Sequence, residues 1–565
     1  MRGITFIFIF CLLGSKLLAQ QPDFAPPLDI PLLLNANFGE IRPNHFHTGI
    51  DIKTKGETGL AIYSIDDGYV SRISVSASGY GNALYINHPS GYTSVYGHLD
   101  RFSPKLAAWV KAQQYEKNSF EVNLFPSSYQ FKVKKGEEVA KSGNSGSSAG
   151  PHLHFEIRNT ESEHPLNPLF FNYDIKDATK PSVENLFVYP ISNTSQVQNK
   201  TTKQVFKLVN YANAYHLKGM QSINVYGEIG FGVDAIDYLD GNWSKCGIYQ
   251  MEYWVDNQLI NTFELDELDF STNRYINSHI DYEAMVLNGQ KVHKTFIDPG
   301  NKLKIYHQSN NRGLFNFNDG KRHKIQIILF DAKMNASEIN FYVIATEAMQ
   351  HSEKKPSAIF HYASSNHFET ENVDIDLPEG ALYTDLNFEF KEGLQPKAAF
   401  SPLYKIHSKG TPLQKNIELK IKANNLPKKL EDKAVLAIFN TQNGKFTSIG
   451  GEFEKGWVSA STRTFGNTCI AVDTIAPVII PLSIKNNTLS EAQKIRFKIT
   501  DEFSGIKSYS ASIDKHWILF EFDAKRDLLE YNIDDHLKKG KKHELVLKVE
   551  DVKGNVKTYT SSFYY

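Results

Sequence analysis

The chain runs to 565 residues, 41% hydrophobic and 22% charged, a globular composition too long for a single core and suited to roughly three to five domains. Its 62 basic and 63 acidic side chains leave a formal charge of -1, so no global field selects nucleic acid or an anionic membrane, and recognition must be local. Three cysteines, at 11, 246 and 469, exclude a disulfide framework and a thiolate-ligated metal.

Met1, Arg2 and Gly3 precede an apolar run over 4–13, and small Ala19 follows. That is the layout of a secretory signal, assigned to residues 1–19, and it predicts export to periplasm, envelope or medium. The run falls short of the ~20 residues a spanning helix needs, and no other run is longer, so no integral span is expected in the mature chain.

From 20 to 176 short apolar runs alternate with glycine turns and predict a β-domain. One stretch differs. SPKLAAWVKAQQYEKN, residues 103–118, predicts a helix: Ser103 can cap, Pro104 suits the first turn, and Leu106, Trp109, Val110 and Gln113 recur at helical spacing.

Beyond 176 the pattern is that of Ig-like β-sandwiches, three in all: 177–346, 347–472 and 473–565. GKRHKIQIILFDAKMN at 320–335 matches GKKHELVLKVEDVKGN at 540–555, CGIYQMEYWVD at 246–256 matches SGIKSYSASID at 504–514, and DATKP at 177–181 matches DTIAP at 473–477. Matched segments in one order mean a duplicated module, the first copy carrying a long loop over 257–318. The fold class expected is mainly β: an N-terminal β-sheet domain with an inserted helix, then three sandwiches.

The chemistry-bearing residues lie in three segments of the first domain: NHFHTGIDI (44–52), YTSVYGHL (92–99) and PHLHFEI (151–157). On an ideal strand His47 and Asp51 would share a face but sit about 13 Å apart, given the ~3.3 Å rise. No metal with ligands at about 2 Å bridges that. Gly49 offers a place for the strand to fold back. In PHLHFEI, alternation puts His152, His154 and Glu156 on one face, opposite Leu153, Phe155 and Ile157. Imidazole and carboxylate without thiolate suit zinc, with His47, Asp51 and one histidine of the pair as three ligands and a fourth position open. The other histidine of the pair and His98 are then placed for acid, base or oxyanion-stabilising roles.

HTGID, YGHL and HLH in this order resemble the signature of the lysostaphin/LytM-type zinc endopeptidases, and the resemblance covers residues 38–158. It implies Zn2+ on His47, Asp51 and His154, with His98 and His152 as the catalytic pair beside the metal-bound water. It also implies peptidoglycan peptide as substrate, cleaved at a cross-link or stem. The family commonly has a short connection where this chain inserts about 100–130, and that insertion is expected to border the cleft. Two competing readings are a non-catalytic regulator of other wall hydrolases and a surface adhesion scaffold. The sandwiches would position the domain or dock it to envelope partners.

Other candidates have plainer readings. His45 is expected in an exposed loop, His88 in a hairpin turn, and His323 and His543, at matched repeat positions, in structural roles. Glu156 either supports a neighbouring histidine or faces solvent. SGNSGSSAG at 142–150 lacks the lysine-serine/threonine ending of a phosphate loop and is expected as flexible cleft rim. HELVL at 543–547 has Leu547 where a zinc-protease helix needs histidine.

Overall fold

A computed structural model describes residues 22–565 apart from 242, 351–354, 486–487 and 490–492. The signal expected over 1–19 lies outside the described residues. The chain is mainly β, as the alternation predicts, with few helices, and among the described residues no helix is long and apolar enough to cross a membrane.

The N-terminal sheet is antiparallel, in the order Leu34–Ala36, Ile50–Lys53, His152–Asn159, Tyr92–Gly97, Ala83–Asn87, Gly68–Val75, Val122–Leu124. The strand carrying HLH is thus interior, flanked by the two strands that lead to the other motif residues. Leu153, Phe155 and Ile157 have no exposed surface and pack with Ile50, Ile52 and Tyr96. Each such side chain contributes roughly 1.5–3 kcal/mol on burial, and together they pin the register that sets His154 opposite Asp51 on one side and Gly97 on the other. A slip of one residue would turn the histidines into the core.

Gly49 acts differently from expectation. Its φ is not positive. Regular strand stops at Phe46 and resumes at Ile50, which shortens the path from His47 to Asp51. Gly49 is needed because a Cβ there would meet the Phe155 carbonyl oxygen at 2.4 Å and Glu156 Cγ at 2.8 Å. Close approach to the next strand, rather than a left-handed turn, explains the residue.

The predicted helix spans Pro104–Lys117 and ends on Asn118 at φ +46°. Ser103 makes no side-chain cap, and Gln114 rather than Gln113 is buried with Leu106 and Val110. Its position corrects a second expectation, since the helix does not border the histidine cleft. It faces the last module: Tyr115 stacks on His536 with ring centroids 3.9 Å apart, and Lys111 pairs with Asp534. The two elements enclose a cavity of about 780 Å3.

C-terminal to the sheet lie three further hydrophobic cores, drawn from residues 183–345, 360–470 and 484–563. The first also takes in Phe38, Ile41 and Phe46 of the N-terminal region. The repeated segments adopt the same strands. Arg322–Phe330 pairs with Gln250–Val255 and Ala336–Ala345, and Lys542–Asp551 pairs with Ile506–Ile513 and Val556–Tyr564. The long loop of the first copy is not irregular; it holds the strand Gln258–Glu264 and the helices Ile276–His279 and Tyr282–Asn288.

Candidate metal centre

Three antiparallel strands bring the motif residues to one face of the sheet. His47 and Asp51 flank the start of Ile50–Lys53, His152 and His154 open the central strand, and His98 follows Tyr92–Gly97. His98 has φ +59°, a left-handed backbone that turns the chain at the strand end. All five residues are buried, each less than a tenth exposed.

The hydrogen bonds decide which ring nitrogens are available. A carbonyl oxygen can only accept, so a ring nitrogen bonded to one must carry the proton. His47 Nδ1 donates to the Asn37 carbonyl at 2.8 Å, His98 Nδ1 to that of Ser145 at 2.9 Å, and His152 Nδ1 to that of Gly150 at 2.8 Å. Each of these rings therefore keeps an Nε2 lone pair. His154 is held the other way round, its Nε2 donating to Glu156 Oε1 at 2.9 Å, which turns Nδ1 toward the others.

His47 Nε2, His154 Nδ1 and Asp51 Oδ1 form a triangle with sides of 3.1, 2.9 and 3.1 Å. Zinc bonds of about 2.0–2.1 Å in tetrahedral array separate ligand atoms by roughly 3.3 Å, so this donor set fits that ion with little adjustment. Local electrostatics point the same way. Burial disfavours charge on His154, yet its hydrogen bonds to Asp51 and Glu156, and their charges, lift its pKa to about 9. Burial likewise works against the Asp51 carboxylate, but attraction to His47 and hydrogen bonding with His152, His154 and His47 hold it well below the usual range. Without a cation this favours a proton on His154 Nδ1, the position that a metal ion would take over.

The pair His98 and His152 stands beside it, ring centroids 4.8 Å apart, with His152 Nε2 3.4 Å from Asp51 Oδ1. Burial, then the neighbouring His154 and His152, push the His98 pKa down to about 3.

A supporting layer surrounds these groups. Glu156 is wholly buried, which settles the alternatives left by the sequence in favour of support for a histidine. Its Oε1 accepts from Thr48 Oγ1 and the Tyr80 hydroxyl, both at 2.6 Å, as well as from His154, and its Oε2 accepts from Arg158 Nε at 2.6 Å. Tyr80 also stacks on the His154 ring at 4.9 Å. Arg42 reaches Asp51 Oδ2 at 3.2 Å and Glu40 at 3.3 Å, and Lys291 from the next module pairs with Glu40 at 2.7 Å. Tyr80, Arg42 and Lys291 escaped sequence reasoning because they stand in no motif and arrive only through tertiary folding. The segment 142–150, expected as a rim, supplies the carbonyls of Ser145 and Gly150 that fix the two free histidines.

The remaining histidines fall outside the centre. His45 is exposed, though on the two-residue strand His45–Phe46 rather than in a loop. His88, in the turn after Ala83–Asn87, is buried and bonded to the Asp67 carbonyl and Ser94 Oγ. The centre opens into a cleft of about 1400 Å3, whose far wall comes from the following module through Phe270, Asn273 and Arg274.

Residues 45–115 and 123–168 match the model of Peptidase family M23. The chain carries an M23 peptidase domain of the LytM type. Over 129 residues this domain region is 34% identical to an uncharacterized metalloprotease of Haemophilus influenzae, covering 23% of this chain and 21% of that one. It is 32% identical over 123 residues to the DD-carboxypeptidase/endopeptidase Mpg of Neisseria meningitidis, covering 22% of each. Against the peptidoglycan DD-endopeptidase ShyB of Vibrio cholerae identity is 36% over 112 residues, 20% of each chain. The chain thus spans about a fifth of these relatives' length. A solved catalytic domain of the M23 protein EnpA from Enterococcus faecalis aligns with 27% identity and TM-score 0.20, covering 26% of this chain and 98% of that one. Downstream of the M23 domain, residues 357–473 match a Zu5-like domain.

Proposed function

We propose that the protein is an exported zinc metalloendopeptidase that hydrolyses peptide bonds in cross-links or stem peptides of bacterial peptidoglycan. The observation that carries this reading is the convergence of two ring nitrogens, His47 Nε2 and His154 Nδ1, and one Asp51 carboxylate oxygen on a common point, with the Nε2 atoms of His98 and His152 alongside. Zinc held by His47, Asp51 and His154 would supply Lewis acidity and an activated water at neutral pH.

The chain's own residues do the rest. Glu156 and the Asn37 carbonyl fix the tautomers of His154 and His47, so both present lone pairs to the cation. His98, neutral at physiological pH, accepts a proton at Nε2, its Nδ1 proton anchored on Ser145. The resulting imidazolium sits next to His152, and the pair can stabilise an oxyanion and return a proton to the leaving amine. The cleft beside these groups, about 1400 Å3 and walled by Phe270 and Arg274, is where a peptide would lie. The M23 match and the peptidoglycan endopeptidase among its relatives support this substrate class, and the apolar run at 4–13 supports export.

Mass spectrometry of fragments released from isolated peptidoglycan by the wild type and by His98→Ala tests the reading. New peptide termini with the wild type alone support it. Zinc-loaded wild type that releases nothing overturns it in favour of a non-catalytic regulator.

A further inference from the structure

A second group of potential ligands lies outside the M23 domain, at the joint between it and the module that follows. Asp177 belongs to the connecting segment, Asp237 follows the strand Ser222–Ile236, and Asp331 follows Arg322–Phe330. One donor atom from each lies within 4.8 Å of the others.

Two of these acids are almost inaccessible, Asp237 at 2% and Asp331 at 1% exposure. Asp331 is satisfied by the amides of Lys333 and Asn335 and by the Asn335 side chain, and Asp177 accepts from the Thr179 amide. Asp237 is the exception: its Oδ1 is buried and accepts no hydrogen bond. The hydrogen bonds that Asp177 and Asp331 accept come from backbone amides and an asparagine rather than from a cation. An unpartnered carboxylate oxygen aimed among two other carboxylates is costly unless a cation shares the space. Burial, with the neighbouring acids, raises Asp177 to about 7 and Asp237 to about 8, as expected where like charges lack a counter-ion. The nearby Cys246 thiol is also pushed up by burial and by Asp237, so it offers no thiolate to a soft metal.

The trio recurs. Asp473, Asp501 and Asp551 gather in the last module within the same limit, Asp473 and Asp551 at the repeat positions of Asp177 and Asp331. Asn555 bonds Asp551 and the Asp473 carbonyl as Asn335 bonds Asp331 and the Asp177 carbonyl.

We propose that Asp177, Asp237 and Asp331 bind a calcium ion that pins the segment leading out of the M23 domain to the sheet of the following module. Only hard oxygen donors are present, and a cluster of carboxylates supplemented by carbonyls or water suits calcium. The site lies where the two bodies interlock: Leu239 and Cys246 join the M23 core, and Gly247 exchanges two 2.7 Å hydrogen bonds with Asn37, whose carbonyl holds His47. Calcium there fixes the loop from which this bracing of the catalytic sheet starts.

The test is equilibrium dialysis of the purified, zinc-loaded full chain against CaCl2 at about 1 mM, with bound calcium and zinc measured in the same sample and thermal unfolding recorded with and without calcium. The wild type is expected to take up calcium and to unfold at higher temperature in its presence. Asp237→Asn and, independently, Asp177→Asn are each expected to lose one calcium per chain while zinc is unchanged. Asp237→Asn should also unfold no lower than the wild type in calcium-free buffer, because the variant removes a buried carboxyl that has no counter-ion there. Equal calcium uptake by wild type and both variants overturns the proposal, as does absence of uptake by the wild type. Equal uptake of MgCl2 in competition overturns the choice of calcium.

Discussion

The buried histidines of the metal cluster and those at the repeat positions, His323 and His543, differ in what ties their ring nitrogens down. His323 spends both, on Asp256 at 2.7 Å and Asp319 at 3.0 Å, and His543 likewise, on Asp514 at 2.9 Å and the Lys538 carbonyl at 2.7 Å. His47, His98 and His152 anchor Nδ1 on a carbonyl and turn Nε2 into the cluster itself, where that of His47 faces Asp51 Oδ1 and His154 Nδ1 and that of His152 faces Asp51 Oδ1. A ring held at both nitrogens is a strut. A ring held at one is aimed, with a lone pair left for a cation or a proton. Burial alone, or the presence of a carboxylate nearby, does not separate the two cases, since both sets have them.

The widest gap between the sets should open on removing an aimed ring. His98→Ala is expected to lower peptide release from cell-wall material by about 10²–10⁴-fold while zinc content, read by metal analysis, stays at the wild-type level. His543→Gln in the same assay should be indistinguishable from wild type. If the two variants lose activity equally, the distinction collapses.

Next in size is the support for His154. Glu156→Gln leaves a hydrogen-bonding side chain but removes the charge, and zinc affinity measured against a competing chelator is expected to fall by about 10–100-fold. Unchanged affinity would show that the aim of Nδ1 does not depend on Glu156.

Gly49→Ala probes the close approach of strands behind the centre. With a Cβ 2.4 Å from the Phe155 carbonyl oxygen, the strands must part. Denaturant unfolding should show a loss of about 1–3 kcal/mol, the range for overpacking. No loss would mean that the sheet accommodates the methyl group.

The smallest effect belongs to a strut. Hydrogen bonds and charge from Asp256 and Asp319 outweigh burial and raise the His323 pKa above its ordinary value. A raised folded-state pKa gives stability that is fully present below the unfolded value of about 6.5 and is lost as pH rises through the folded value. The stability difference between wild type and His323→Gln should therefore shrink from pH 6 towards pH 8, roughly across that window, with peptide release unaffected. A difference that grows with pH would mean that His323 is held neutral.

The cluster was legible in the sequence to the extent that short-range pattern sets it. Alternation in PHLHFEI put His152, His154 and Glu156 on one face, and the order HTGID, YGHL, HLH named the five residues that do lie together. The mainly β fold and the helix over 104–117 followed from periodicity and from Pro104. What stayed hidden depends on long-range placement. Gly49 signalled flexibility but is required for space against Phe155. The insertion helix carried no mark that its partner was the terminal module. Residues 257–318 read as a loop, though they form elements that deliver Phe270 and Arg274 to the cleft. Arg42 and Tyr80, ordinary in sequence, matter because of the atoms that folding sets beside them.

The central claim is that bare nitrogens of His47 and His154 and an oxygen of Asp51 share one cation. Diffraction from zinc-loaded crystals, with anomalous data collected at the zinc edge, addresses it directly. A single strong peak in the M23 domain within bonding distance of His47 Nε2, His154 Nδ1 and an Asp51 carboxylate oxygen is the expected result. A zinc-loaded crystal with no peak there, or with zinc ligated through His47 Nδ1 or His154 Nε2, would contradict it.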